Sequence, residues 1–208
     1  MKKALLLVSI LSISVFSTAC INNFAVQELN NKAKVSLEQG DYQTAIERLK
    51  SSIDLDDSVF ESHYNLAVAY TQGEDYLKAI SSYKKAIELK SDFPDAYYSL
   101  AVAQESLATA VDSGEVIVSE NGQFEKVLQD AQSDVEDADI STVKMVSPAA
   151  VNAEIQLLTD AVANYNKYLE IAQNPDDAAA VSDKVKALEA KVDELQQGAQ
   201  NKQLQEVQ

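Results

Sequence analysis

Residues 26–59 and 60–93 are two copies of one sequence unit, and no other feature of the chain constrains its fold as strongly. At an offset of 34 they share Asn31/Asn65, Ala33/Ala67, Asp41/Asp75, Tyr42/Tyr76, Ala45/Ala79, Ile46/Ile80, Lys50/Lys84, Ile53/Ile87 and Leu55/Leu89. A third copy starts in phase, since Tyr64-Asn65-Leu66-Ala67-Val68-Ala69 recurs as Tyr98-Ser99-Leu100-Ala101-Val102-Ala103. A repeat of this length is one helical hairpin, too small to bury its apolar face alone and stable only when stacked on neighbours. The expected fold is an all-α solenoid, and its expected work is binding on a curved face.

In the second copy Leu66, Ala67, Tyr70, Ala79, Tyr83, Ala86 and Leu89 are spaced in a pattern that resembles the tetratricopeptide repeat family. Ala67 and Ala79 are small enough to let two helices approach closely, while Tyr70, Tyr83 and Leu89 fill the space around that contact. The first copy fits at Ala33, Ala45, Leu49 and Leu55, with Lys32 and Ser36 at positions expected to be apolar. A terminal repeat has one face without a neighbour, and polar substitutions suit such a cap. The resemblance implies about three hairpin repeats, the third interrupted by an insertion, followed by a C-terminal capping helix.

Residues 1–19 read as an export signal: Lys2 and Lys3 are followed by the apolar run Ala4–Phe16, too short to span a bilayer comfortably, and then by the small residues Ser17-Thr18-Ala19. The segment ending at Cys20 resembles the lipobox of bacterial lipoproteins, in which cleavage exposes a cysteine that receives acyl chains. An ordinary signal peptide cut near Ala19 is the other reading. Cys20 is the only cysteine, so no disulfide can form within the chain. Lipidation at Cys20 accounts for it, and by resemblance Ile21 after the cysteine favours the outer membrane, facing the periplasm, in an organism with two membranes. Residues 20–25 then form a short tether, reaching about 17 Å if its last five residues are extended.

Loss of the signal removes two lysines and no acid, taking the net charge from −16 to −18. A body this acidic excludes nucleic acid and anionic lipid as general electrostatic partners. The expected partner is a neutral or basic envelope protein or peptide, with membrane contact through the lipid anchor. Catalytic machinery is not expected. His63 is the only histidine and falls where the family favours a packed aromatic, the glycines are scattered, and no cofactor motif occurs. The acidic run Asp134, Glu136, Asp137 and Asp139 departs from calcium-loop spacing, with Ala138 and Asp139 at the third-ligand and glycine positions, and reads as solvated loop. No metal site is expected.

The solenoid domain is expected over 26–197: repeats 26–59, 60–93 and 94–110 plus 148–175, an insertion at 111–147 and a capping helix at 177–197. Ala161 falls 82 residues after Ala79 instead of 34, so the third repeat carries 48 residues more than the others. Inside it, Glu115–Glu120 reads as a short strand and Asn121-Gly122 as a turn. Phe124, Val127, Leu128, Ala131 and Val135 lie at helical spacing, and a small hairpin through Asn121-Gly122 fits nearly as well. Ser147-Pro148 signals an N-cap followed by proline at the first helical position, opening a helix with Val151, Ile155, Leu158, Val162, Tyr165 and Leu169 on one stripe. A last helix carries Val181, Val185, Leu188, Val192 and Leu195, with Gly198 expected to end it and 198–208 expected to be a disordered tail.

By the same resemblance, positions 2, 5, 9 and 12 of each repeat line a concave groove: Gln27, Asn30, Lys34 and Leu37; Glu61, Tyr64, Val68 and Thr71; Asp95, Tyr98, Val102 and Glu105. Asn30, Lys34, Tyr64, Val68, Tyr98 and Val102 are the candidate partner-binding residues. Family members that hold a chaperone's C-terminal carboxylate use basic groove residues, where this chain has Asp95 and Ser99. The expected function is a membrane-anchored protein-interaction scaffold of the bacterial envelope. The alternative is a small-ligand-binding lipoprotein that uses the insertion as a lid.

Overall fold

The structure, a computed structural model, describes residues 22–126, 147–173 and 175–206. Cys20 and the signal segment, Val127, Leu128, Ala131 and Val135, and the acidic run Asp134–Asp139 lie outside the described residues. The backbone divides into two compact units, one ending at Ala96 and the other beginning at Tyr97.

The first unit holds two helical hairpins: α1 (residues 22–38) with α2 (Tyr42–Leu55), and α3 (Phe60–Gln72) with α4 (Tyr76–Leu89). The turns repeat as faithfully as the helices. Gly40 and Glu74, 34 residues apart, both take the left-handed conformation, with φ of 74° and 58°. The next amides, Asp41 N and Asp75 N, each donate 2.9 Å bonds back to Ser36 O and Tyr70 O, closing the helix end. The aspartates then cap the following helices, Asp41 accepting from Thr44 N and Asp75 from Lys78 N.

Ala33, Ala45, Leu49, Leu66, Ala67, Tyr70, Ala79, Tyr83 and Ala86 form the core of this unit, as the repeat spacing predicts. Three expectations are corrected. Ser36 is no solvent-facing cap residue: it is only 3 % exposed and its Oγ accepts a 2.6 Å bond from Arg48 Nη1 on α2, a partner that removes the cost of burying a hydroxyl. Leu55, at the very end of α2, is 41 % exposed and does not fill the hairpin. Helix α1 begins by residue 22, so residues 22–25 are helical turn and no extended tether. His63 packs as expected, with its Nε2 2.9 Å from Asp57 O.

α5 (Pro94–Ser113) leads into the second unit, which continues through β1 (Val116–Val118), β2 (Phe124–Lys126), α6 (Pro148–Ile171) and α7 (Ala178–Glu206). The strands form an antiparallel hairpin in which Val118 faces Phe124 across the ladder. Gly122 supplies the positive φ of the turn. Phe124 therefore lies on a strand, where helical spacing offered a competing reading. Val116 and Val118 are buried and Ile117 is exposed, the alternation of a sheet with one covered face. β1 packs against α6.

Helix α6 starts at its predicted cap, Ser147 Oγ accepting from Ala150 N at 3.1 Å. It pairs with α5 across the insertion: Asn164 Nδ2 donates to buried Gln104 Oε1 at 2.8 Å. Its buried residues are Glu154, Leu157, Leu158, Ala161, Tyr165 and Tyr168, whereas Val151, Ile155, Val162 and Leu169 are only half-buried. The expected single stripe is displaced because α7 also covers α6. On α7, Val181, Val185 and Leu188 are buried, while Val192 and Leu195 are half-buried. Gly198 does not end α7, which continues to Glu206; the surrounding Gln, Ala, Lys, Leu and Glu favour helix, and one interior glycine costs only about 1 kcal/mol. Among the described residues no helix is long and apolar enough to cross a membrane.

Candidate functional site

An open cleft of about 490 Å³ lies in the first unit, walled by α1 and the start of α3. Small buried residues bring the helices together here. Ala33, Ser52 and Ser62 have no exposed surface, so α1 comes close enough for the Asn30 carboxamide to reach both serines. Asn30 Nδ2 lies 2.8 Å from Ser52 Oγ, 2.8 Å from Ser62 Oγ and 3.0 Å from Val26 O. The two hydroxyls are 3.0 Å from each other. Asn65 Nδ2 donates to Asn30 Oδ1 at 3.2 Å, tying α3 to α1.

Five of the nine residues that line the cleft carry carboxamides, Asn23, Gln27, Asn30, Asn31 and Asn65, with apolar surface between them that includes Val26 and Val59, and with Lys34 and Glu61 as its charges. Amides donate and accept at once, so such a wall pairs naturally with the backbone of an extended peptide and discriminates little between side chains. Lys34 and Glu61 are both exposed, giving one donor-rich and one acceptor-rich point.

Of the groove residues read from the sequence, Gln27, Asn30, Lys34 and Glu61 line this cleft, whereas Tyr64 and Val68 do not. Asn30 turns its amide hydrogens inward, so its main contact is with the protein itself. Asn65 was missed, although its identity with Asn31 across the repeat was a signal for it.

Tyr64 is half-buried in an aromatic cluster, 5.7 Å from the Tyr83 ring and 5.1 Å from the Phe93 ring. Phe60 joins it at 5.3 Å from Phe93, with Lys90 Nζ 4.3 Å from the Phe60 centroid. In the second unit Tyr98 stands edge-on to Tyr165 and Tyr168, at 5.5 and 5.2 Å, and Val102 is half-buried. Edge contacts of this kind stabilise the helix packing, so neither tyrosine is a bare platform.

Glu105, Tyr165 and Lys184 form a closed polar triangle in the second unit. Tyr165 Oη donates to Glu105 Oε2 at 3.0 Å, and Lys184 Nζ reaches Glu105 at 2.9 Å and Tyr165 Oη at 3.2 Å. Burial and the adjacent Glu105 carboxylate push the Tyr165 phenol far above its ordinary range, which keeps it protonated as it donates to Glu105 and accepts from Lys184. A second, shallower cleft of about 530 Å³ lies between the hairpin and the start of α6, with Val118, Phe124, Ala153 and Leu157 on its walls.

A sequence profile described as TPR repeat matches residues 33–73 and 69–107. No sequence relative is found among curated proteins. Among solved structures, the first TPR of Spaghetti (RPAP3) bound to the HSP90 peptide SRMEEVD is similar, with a TM-score of 0.53 at 19 % identity over 79 % of this chain and 93 % of that one. The second TPR domain of human RPAP3, in complex with the HSP70 peptide SGPTIEEVD, has a TM-score of 0.53 at 15 % identity, covering 79 % of this chain and 98 % of that one. The type III secretion translocator chaperone SycD of Yersinia enterocolitica has a TM-score of 0.52 at 14 % identity, covering 80 % and 84 %. The chain is thus an all-α helical solenoid that carries tetratricopeptide repeats over residues 33–107.

Proposed function

We propose that the protein is a membrane-tethered interaction scaffold of a bacterial envelope, lipidated at Cys20 and binding an extended peptide segment of a neutral or basic partner in the cleft of its first unit. The observation that carries the reading is the amide-lined cleft itself, open, sized for a peptide segment and built from the inner residues of two successive repeats. The peptides bound by similar TPR domains support the class of ligand. A C-terminal carboxylate is not the proposed ligand, because Asp95 and Ser99 stand where a basic clamp needs cations. The acidic body favours a partner without strong negative charge.

Two experiments test this. A photo-reactive residue at Gln27 or Lys34 should crosslink one envelope protein in cells, and the same residue at Ser51, exposed on α2 outside the cleft, should not. Equal capture from Ser51 would remove the cleft from the proposal. Cys20→Ser should abolish acylation and release the protein from membranes; retention through high salt and carbonate would refute the anchor. The apolar cleft beside Phe124 supports a second reading, in which a small apolar ligand sits under the hairpin. Saturable binding of an apolar fluorescent probe, lost in Phe124→Ala, would favour it.

A further inference from the structure

The first turn of α1 presents an uncharged, solvent-exposed surface. Residues 22–27 contain no charged side chain, in a chain whose net charge is −16, and Asn22, Asn23 and Phe24 are all exposed. Phe24 is 71 % exposed, more than any other large apolar side chain among the described residues. Packing of α1 does not require it, since Val26 and Ala33 hold the opposite face of the helix in the core. Next on the Phe24 face comes Glu28, neutralised within the helix by Lys32 at 3.1 Å. No uncompensated acid stands beside the ring on its own helix face.

We infer that this turn is a lipid-contacting element, with Phe24, next to the exposed Asn22 and Asn23, seated in the headgroup layer of the membrane; the inference rests on the anchoring of Cys20 proposed above. Phe24 is four residues from Cys20, at most about 14 Å along a fully extended chain, and the helix is already formed at residue 22. A headgroup layer is about 5–8 Å thick on each side of the hydrocarbon, and interfacial helices bury apolar side chains about 5–10 Å deep. A ring held so near the acyl chains reaches that layer. The asparagine carboxamides find donors and acceptors there, and an aromatic ring gains by leaving water. A flexible lipid tether alone leaves the protein free to swivel. A second contact through a rigid helix fixes how α1, and the cleft it lines, is presented.

The chain has no tryptophan, so Phe24→Trp introduces a single reporter. In lipid-modified protein reconstituted into phosphatidylethanolamine–phosphatidylglycerol vesicles, its emission should shift to shorter wavelength and be quenched by lipids brominated near the glycerol end of the acyl chain. Val35→Trp, on the same helix face at a site 49 % exposed but about 16 Å further along the axis, should stay solvent-like and unquenched. Cys20→Ser combined with Phe24→Trp should also stay solvent-like beside the same vesicles. The inference is overturned if lipid-modified Phe24→Trp emits and quenches like Val35→Trp. It is equally overturned if the unlipidated double variant shifts with rising protein concentration in the absence of lipid, since Phe24 then packs against a second copy. Mass spectrometry finding no acyl chain on Cys20 removes the anchoring itself, and with it this inference, independently of the optical result.

Discussion

Replacing Asn30 with alanine should destabilise the first unit more than removing either serine it serves. Its amide has two hydrogens and three acceptors within 3.0 Å, so at most two bonds form at once. Each net hydrogen bond contributes about 0.5–1.5 kcal/mol, and stranding a buried partner adds to that. Ser52 and Ser62 have no exposed surface, so water cannot replace the lost donors, although the hydroxyls can still bond to each other. The expected cost of Asn30→Ala is about 2 kcal/mol. Ser52→Ala or Ser62→Ala should cost about 1 kcal/mol or less, because Asn30 is only half-buried and lines a wet cleft where water can take the freed hydrogen. Removing all three polar side chains should recover part of the loss, since no hydroxyl is then left buried and unpaired. Urea unfolding followed by circular dichroism gives the free energies, and amide hydrogen exchange at Leu66 and Ala67 localises the effect to α3. If Asn30→Ala costs less than either serine variant, or the triple variant is the least stable of all, the amide does not hold these helices together.

The paired turns make opposite predictions. Gly40→Ala should destabilise by about 1 kcal/mol through backbone strain alone, as its Cβ would meet nothing within 4 Å. Glu74→Gly should be neutral to stabilising by up to about 1 kcal/mol, because it relieves a non-glycine φ of 58°; thermal unfolding of both variants checks the pair. Acid should loosen α2: the Thr44 hydroxyl and, after it, the Thr44 amide hold the Asp41 carboxyl below its ordinary value of 3.8 and contribute stability above about pH 4 that is lost as pH falls through the lowered value. Asp41→Asn should flatten that part of the pH–stability curve, and an unchanged acid limb would refute it. Tyr98→Ala should destabilise the second unit by about 2 kcal/mol, less than emptying a fully buried aromatic site because the ring is only half-buried; binding data on this variant have meaning only beside its unfolding curve.

The repeat was legible because both copies meet one packing demand at every turn. Ala33 and Ala67 are both fully buried, as are Ala45 and Ala79, and Gly40 and Glu74 share a backbone conformation. Periodicity records only contacts that recur between neighbours. The third hairpin closes across 60 residues through Gln104–Asn164 and Glu105–Tyr165, and Ala161, Tyr165, Tyr168 and Ile171 keep enough of the pattern to betray it. Polar burial leaves no periodic trace at all. Ser36 depends on Arg48, 12 residues away. Glu154, 2 % exposed, depends on Lys191 of α7, whose Nζ lies 2.7 Å from Oε1 but outside hydrogen-bonding direction.

The same limit changes what the candidate site means. Repeat positions alone make Tyr64 and Tyr98 the anchors of a groove, yet both rings already have aromatic partners, while the cleft that is open to solvent is walled by carboxamides. Anchors in a pocket give affinity through buried apolar area, whereas amides give it through hydrogen bonds that any extended backbone can return. Under the proposed function, replacing apolar side chains in the partner segment with alanine should weaken binding less than N-methylating its backbone amides. A titration that ranks those two changes the other way would move the site from the amide cleft to the aromatic clusters.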